Sequence, residues 1–433
     1  MRKAFLVLSA VLIASVATAE LQNIEVGGAL RIRGAWLHGP DAVAVGPPAL
    51  GNQAIVVVPV TDNNASFVEH RTRLNVKADF TDSVSAFIEL DSYDTWGEDF
   101  RSEYLTGLDR RAQSYDDVEV YQSYIEAVDM WGQPLQVRIG RQEIILGSEW
   151  LVGNNDTGAA FTGLSFDALC LTYATDQVSV TALWSKLVER CAVEEDGDTD
   201  LYGVYASYLG IEDMVIDAYW LFVRDARAKG TTQQTLFGQP FGPPKNTYGT
   251  LDVHTFGLRG AGTMGAFDLE AEVAYQYLDS NVTGAEGDSD AWAGNLELGY
   301  TFDMELTPRI FLGGAYFEGA RDGDAPFNRL FSDWEYSKNY DMMSQLTGFG
   351  TGCAGVSAMA TESLMVAMTW AYLELDRAGN NDNDLGWEGT LSLLYDYSED
   401  LSLEVGYSHF IQGDAAPTDD DQSYLYFETK VCF

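Results

Sequence analysis

Basic residues are scarce in this 433-residue chain: 25 Lys+Arg stand against 66 Asp+Glu, for a formal net charge of −41 at pH 7. Nucleic-acid binding is thereby disfavoured, because phosphate contacts need the opposite sign. Histidine and cysteine are scarce too, with four of each. Cys170, Cys191, Cys353 and Cys432 form no CxxC pair and have no neighbouring His pair, so neither a zinc site nor a redox motif is indicated. Their places on the strands read below keep them apart, and no disulfide is expected. Long apolar runs are missing beyond the first twenty residues, which leaves no candidate transmembrane helix. Linkers and low-complexity tracts are also missing, so the body of the chain reads as one domain.

What is present begins with a secretory signal over residues 1–19. Arg2 and Lys3 give the basic start, Phe5 to Val16 the apolar run, and Ala17-Thr18-Ala19 the cleavage site. Spanning a bilayer takes about 20 apolar residues, so this run is too short to be an anchor. Residues 20–433 then form the mature domain. Aromatic residues make up 12% of the chain and Gly reaches 42, as expected where strands need interfacial girdles and tight turns.

About eighteen segments of roughly 10–14 residues alternate apolar and polar side chains, the two-residue period of a strand with unlike faces. Ile24, Val26, Leu30 and Ile32 oppose Glu25, Arg31 and Arg33. Leu74, Val76, Ala78 and Phe80 oppose Arg71, Arg73, Asn75, Lys77 and Asp79. Leu401, Leu403, Val405 and Tyr407 oppose Ser402, Glu404 and Ser408. A soluble sandwich would show the same alternation. The connections separate the two, because short turns (such as those at Thr81–Ser83, Gly210–Glu212 and Gly262–Met264) alternate strictly with long loops. That pattern predicts an all-β fold: a closed antiparallel transmembrane β-barrel, with short periplasmic turns and long extracellular loops. The last segment agrees. Phe427 and Phe433 share its apolar face, and an aromatic ring at the chain end is favoured at a membrane–water boundary.

One hairpin carries the most specific pattern. Leu135–Gly140 and Leu169–Tyr173 alternate as strands, with Arg138 and Arg141 on the first and Asp167 on the second. The Gly/Asn-rich connection from Gly147 to Gly163 is expected to be an exposed loop. Arg141 falls out of step with Arg138, which predicts either a bulge at Gly140 or a place in the outer loop.

The run Val137-Arg138-Ile139-Gly140-Arg141-Gln142-Glu143-Ile144-Ile145-Leu146-Gly147, then Leu151-Val152-Gly153, then Phe166-Asp167-Ala168, resembles the signature hairpin of the alginate export family of outer-membrane porins. Ala325–Phe331, running on to Tyr340-Asp341, is similar to a long loop that family members fold near the pore. The chain departs from the family pattern at Trp150, at Gly163 to Ser165, at Ala168 and at Ser332. The resemblance implies a large monomeric barrel of about eighteen strands in a Gram-negative outer membrane. It also implies a pore for hydrophilic solutes or polysaccharide, while the terminal strand ending on Phe433 resembles the signal that the barrel assembly machinery reads in Gram-negative outer-membrane barrels.

Aligned by their periplasmic ends, the strands place Arg31, Arg73, Asp91, Arg141 and Asp167 near one height, with Arg33, Arg71, Glu89, Glu126 and Arg138 close by. Such a belt of Arg and carboxylate is expected at a constriction, where fixed charges sort solutes by sign. The competing role is bracing, since buried charges must be paired. Phe327, Arg329, Phe331, Trp334 and Tyr336 belong to an aromatic loop expected either to fold inward as a plug that stacks on solute or to cap the barrel from outside. Of the 25 basic residues only 8 lie from Thr231 onward, against 32 of the 66 acids, so the charge balance predicts neutral or cationic solutes.

Acidic loop clusters, among them Glu194–Asp198, Asp288–Asp290, Asp382–Asp384 and Asp419–Asp421, are candidate Ca²⁺ ligands, with solvated loop tips the commoner case. No resident cofactor or metal is expected. A catalytic barrel would use Ser408-His409, His70 or His254, but no nucleophile motif surrounds them, so no enzyme is expected. The expected surroundings are outer-membrane lipid and lipopolysaccharide, and the remaining alternative is a structural outer-membrane anchor that holds surface material through acidic, cation-binding loops, without transport.

Overall fold

In the computed structural model the described residues are 22–39, 64–96, 118–156, 161–189, 198–226, 228–232, 235–236, 239–240, 245–281, 287–321, 324–339, 347–376, 382–415 and 420–433. The signal at residues 1–19 lies outside them, as do Cys191, Tyr340-Asp341, Asp419 and most of the Glu194–Asp198 cluster. Every main element is a strand. The first six are β1 (Asn23–His38), β2 (Asn64–Thr81), β3 (Val84–Thr95), β4 (Glu119–Ala127), β5 (Leu135–Gln142) and β6 (Phe166–Ala174). Together with the strands from Val178 to Cys432 they make one 18-stranded sheet. Each strand pairs antiparallel with the next, and the last, Gln422–Cys432, pairs back onto β1 in the register Arg33↔Glu428. The sheet is therefore a closed barrel with no free edge, which satisfies every strand's backbone groups without water.

Alternation sorts the side chains. Ile24, Val26, Trp36, Leu74, Val76, Phe256, Leu258, Leu296, Leu298, Phe427 and Phe433 lie on the exposed outer surface. Arg31, Arg33, Glu69, Arg71, Arg73, Glu89, Asp91, Glu272, Asn295, Glu388 and Glu428 are buried on the inner one. No helix among the described residues is long and apolar enough to cross a membrane, and the outer apolar rows take that role. Two of the tightest turns fall slightly later than the composition suggests. Strands Thr199–Ile211 and Met214–Asp225 are joined at 212–213, and Leu251–Met264 and Phe267–Ser280 at 265–266. Backbone pairing carries each ladder past the turn-type residues Gly210 and Gly262. Inside the long connection that follows Asp225, Ala228–Thr232 pairs with Lys245–Tyr248, and Thr235–Leu236 with Gln239–Pro240.

The largest departure from expectation is the connection between β5 and β6. Its composition predicts an exposed loop, yet Trp150 is 0% exposed, and Leu151, Val152 and Phe161 are also buried. The segment folds into the barrel, where a second inward segment gives its apolar side chains partners. Main-chain hydrogen bonds run from Phe331 N to Leu151 O (2.9 Å), Gly153 N to Phe331 O (2.9 Å) and Asp333 N to Glu149 O (3.0 Å). Val152 and Phe331 form a parallel bridge. Two loops that are apolar on one side thus make a miniature sheet within the lumen, against a cluster of Phe166, Leu183, Leu201, Leu221, Phe317, Phe349, Leu373 and Phe410 from the inner wall. The inner rows of β6 and the next two strands carry no charge, which corrects the simple picture of a lumen polar all round.

Candidate functional site

The register of β1 and β2 sets Arg31 directly opposite Arg71, and Arg33 opposite Glu69. Like charges face to face are unfavourable unless something lies between them. Here Asp156 does, from the inward β5–β6 loop. Its Oδ1 is 3.4 Å from Arg31 Nη1 and 2.5 Å from Arg71 Nη1, and its Oδ2 is 3.2 Å from Arg73 Nη1. Phe161 of the same loop lies under the guanidinium groups of Arg31 (4.6 Å), Arg33 (4.7 Å) and Arg71 (5.9 Å). The Phe161 carbonyl accepts from Arg71 (2.8 Å) and that of Thr162 from Arg73 (3.2 Å).

The wall supplies the remaining partners. Glu428 accepts from Nε and Nη2 of Arg31 (2.7 and 3.0 Å), a bidentate pair that also ties the closing strand to β1. Arg33 donates to Glu69 at 2.8 Å. Arg73 lies 3.5 Å from Asp91 and covers the Tyr121 ring at 3.7 Å. Glu89 accepts from Gln122 at 2.8 Å and from Asn75 at 3.5 Å rather than pairing directly with an Arg. Burial by itself pushes the Asp156 carboxyl up. The hydrogen bond from Arg71 and the charges of Arg71, Arg73 and Arg31 outweigh it and hold the group below the usual carboxylate range.

Glu126 and Arg138 face each other across β4 and β5 at 2.6 Å, on the inner row but apart from this cluster. Arg141 and Asp167 are not in the lumen. They pair at 2.8 Å on the row of Ile139 and Leu171, with side chains 45% and 56% exposed. No register shift occurs at Gly140; the strands on both sides pair regularly through it. Its φ of +132° reflects crowding, since a Cβ there would meet Ser123 O at 2.2 Å. The bulge is in β4, where Glu89 pairs with Gln122 and Leu90 with Val120, turning both Tyr121 and Gln122 inward. Arg141 is out of step because it faces outward. It opens a cross-strand row, Arg141–Asp167–Lys186–Asp200–Arg224–Asp252, in which each residue directly opposes the next and the charges alternate.

In the second loop, Phe327 is fully buried between Trp150 and Phe317, so both ring faces are occupied by protein. Arg329 is also buried, with its guanidinium over Phe317 (4.9 Å) and Tyr336 (5.2 Å) and a donor on Trp334 O. Trp334 Nε1 donates to Ser148 O (2.5 Å), and Trp150 Nε1 to Tyr336 Oη (2.8 Å), which in turn donates to Asn295 (3.0 Å). Phe331 meets Phe166 edge-on at 5.2 Å. These aromatic groups hold the two loops together and to the wall, which leaves Phe327 no surface for stacking on a solute. Anchorage on the far side comes from Glu388, which accepts from Ser337, Lys338 N and Asn339.

Sequence reasoning missed Asp156, Phe161 and Trp150, and also a second charged group across the lumen. There Arg259 bridges Asp217 (2.6 Å) and Glu270 (2.5 Å), while Arg309 joins Glu297 (2.6 Å) and Asp268. Strand parity alone would have found the second group. Among the described residues no three of His, Cys, Asp and Glu converge on a metal-sized site, and Cys170, Cys353 and Cys432 are free. Ser408 is buried against Asn339, whereas His409 pairs outward with Ser423, so the two make no catalytic unit. Phe433 stays exposed at the seam, where its backbone exchanges hydrogen bonds with Gly28.

Solved structures share the fold. OccK11 (OpdR) of Pseudomonas aeruginosa superimposes with a TM-score of 0.56 at 11% identity, over 94% of this chain and 96% of its own. OccAB1 of Acinetobacter baumannii does so with a TM-score of 0.56 at 13% identity, over 94% and 97%. No curated protein matches the chain in sequence. The family model described as alginate export matches residues 54–340.

Proposed function

The chain belongs to the alginate export family, a family of Gram-negative outer-membrane barrels, and from that premise we propose that the Arg/carboxylate wall and the loop docked on it form the selectivity constriction of this outer-membrane channel. The observation that supports the reading best is the loop-borne carboxylate of Asp156 set among Arg31, Arg71 and Arg73 on the inner wall. A charged group carried into the lumen by a loop narrows the passage and fixes its field where the dielectric is low.

Every arginine of the wall already has an acid: Glu428, Glu69, Asp91 or Asp156. Across the lumen, Arg259 and Arg309 each meet two acids. Bracing and selection are therefore done by the same residues, and the surplus of acid favours neutral or cationic solutes over polyuronate. The passage runs from long outer loops to short periplasmic turns, for small hydrophilic solutes or for polysaccharide, through a monomer. Phe427 and Phe433 on the terminal strand are offered to the assembly machinery during insertion.

In planar bilayers with a KCl gradient, the reversal potential should favour potassium. Preference for chloride or glucuronate would overturn the assignment of solute sign. The amount of apolar surface in the two-loop plug gives the anchor reading its one support. A correctly folded barrel that passes no current at all would decide for it.

A further inference from the structure

We propose that Asp156 is the residue that sets the ion preference of this channel, by acting as an internal counter-ion for a three-arginine site that the wall leaves short of acid. The proposal rests on the channel reading above and names one residue within it. The wall acids are committed elsewhere: Glu428 takes Arg31 in a bidentate pair, Glu69 takes Arg33, and Asp91 lies beside Arg73. Among the described residues, Asp156 is the only carboxylate within ion-pair reach of Arg71. Arg71 in turn faces Arg31 directly across the β1–β2 ladder, so without Asp156 two guanidinium groups would oppose each other with no acid between them.

Asp156 comes from a loop and not from the wall, and this decides what it does. A wall acid is fixed by the barrel; a loop acid is held by the contacts it makes. Phe161 and the carbonyls of Phe161 and Thr162 dock the same loop segment on the same arginines, leaving the Asp156 side chain 18% exposed. With the carboxylate in place the three guanidinium groups are neutralised and largely covered. With its charge removed, Arg71 keeps the Phe161 carbonyl but has no acid within reach to balance its own charge, and anions meet a more positive wall.

Asp156→Asn keeps shape and removes the charge. One unit charge at about 7 Å from a passing ion, in a water-like dielectric, favours potassium and disfavours chloride by equal amounts and so changes the preference between them roughly sevenfold. Reversal potentials under a KCl gradient should therefore show the D156N channel less cation-preferring by that factor. Arg71→Gln should move the preference the other way. Asp167→Asn removes an equal charge from the outer face of the wall and should leave the reversal potential unchanged.

A D156N channel with the wild-type reversal potential would overturn the proposal, and so would an equal shift in D167N, which would reduce the effect to net charge. Should D156N fail to insert, R71Q decides alone: a shift toward potassium supports the assignment and none overturns it. Folded wild-type barrels that carry no current would sink the channel reading itself, and this inference with it.

Discussion

Phe161 does its work through three cations at once. Its ring lies within 4.6 to 5.9 Å of Arg31, Arg33 and Arg71, and its carbonyl accepts from Arg71. Desolvated cation–π contacts are worth up to about 2 kcal/mol each, and truncating a buried Phe costs about 3–5 kcal/mol. Phe161→Ala should lower stability to urea unfolding by about 3 kcal/mol and make single-channel currents noisier, as the loop leaves the wall more often. Gly163 tests the same contact from the backbone. Its φ is +80°, and a Cβ would stand 2.2 Å from Arg73 Nη2 and 2.6 Å from Tyr121 Oη. Gly163→Ala should displace the loop from Arg73 and raise conductance, measured as the single-channel step. Acidity acts through Asp156. Its carboxyl is held below the ordinary range in the folded protein, so the stabilisation it provides is complete above the unfolded value and fades only as pH falls through the lower folded one. Loop docking should hold from about pH 8 to pH 5 and loosen only below about pH 4, read as the onset of current noise on acidification.

At the scale of elements, the two inward loops behave as one body. Trp150 is its centre, with Phe317 at 5.6 Å, Phe327 at 6.5 Å and a hydrogen bond to Tyr336. Trp150→Ala should separate the loops at a cost of about 3–5 kcal/mol and enlarge the conductance step more than F161A does. The fate of the β5–β6 connection was illegible for a definite reason. Gly and Asn at loop density ordinarily mark solvent exposure, because a buried backbone needs partners. Those partners are Phe331 and Asp333, some 180 residues away, and no local pattern announces a pairing at that separation. Arg141 shows a similar shortfall. The period alone assigns it to the outer row, and only the assumption that charge belongs inside puts it in the belt. The structure shows an outer row of alternating charge, with Lys186, Asp200 and Arg224 continuing it.

For the whole molecule, what was legible was what depends on period two. Apolar rows outward, charged rows inward and an unbroken chain of antiparallel neighbours follow from residues such as Leu74, Val76, Arg71 and Arg73 one strand at a time. The four arginines of β1 and β2, with Asp91 and Glu89, could be placed inside without knowing the rest. What the period could not convey is how the lumen is filled, since that depends on loops, and loops carry Asp156, Phe161, Trp150 and Phe327. The barrel is therefore a wall specified locally and an interior specified by long-range contacts. Its acid surplus predicts a preference for cations as long as the four arginines stay covered.

The central claim is that this wall encloses a conducting passage. The most direct test is single-channel recording of the purified, folded protein in planar bilayers. A conducting barrel should give discrete current steps whose reversal potential under a KCl gradient favours potassium. Bilayers that hold the folded barrel and remain electrically silent would contradict it.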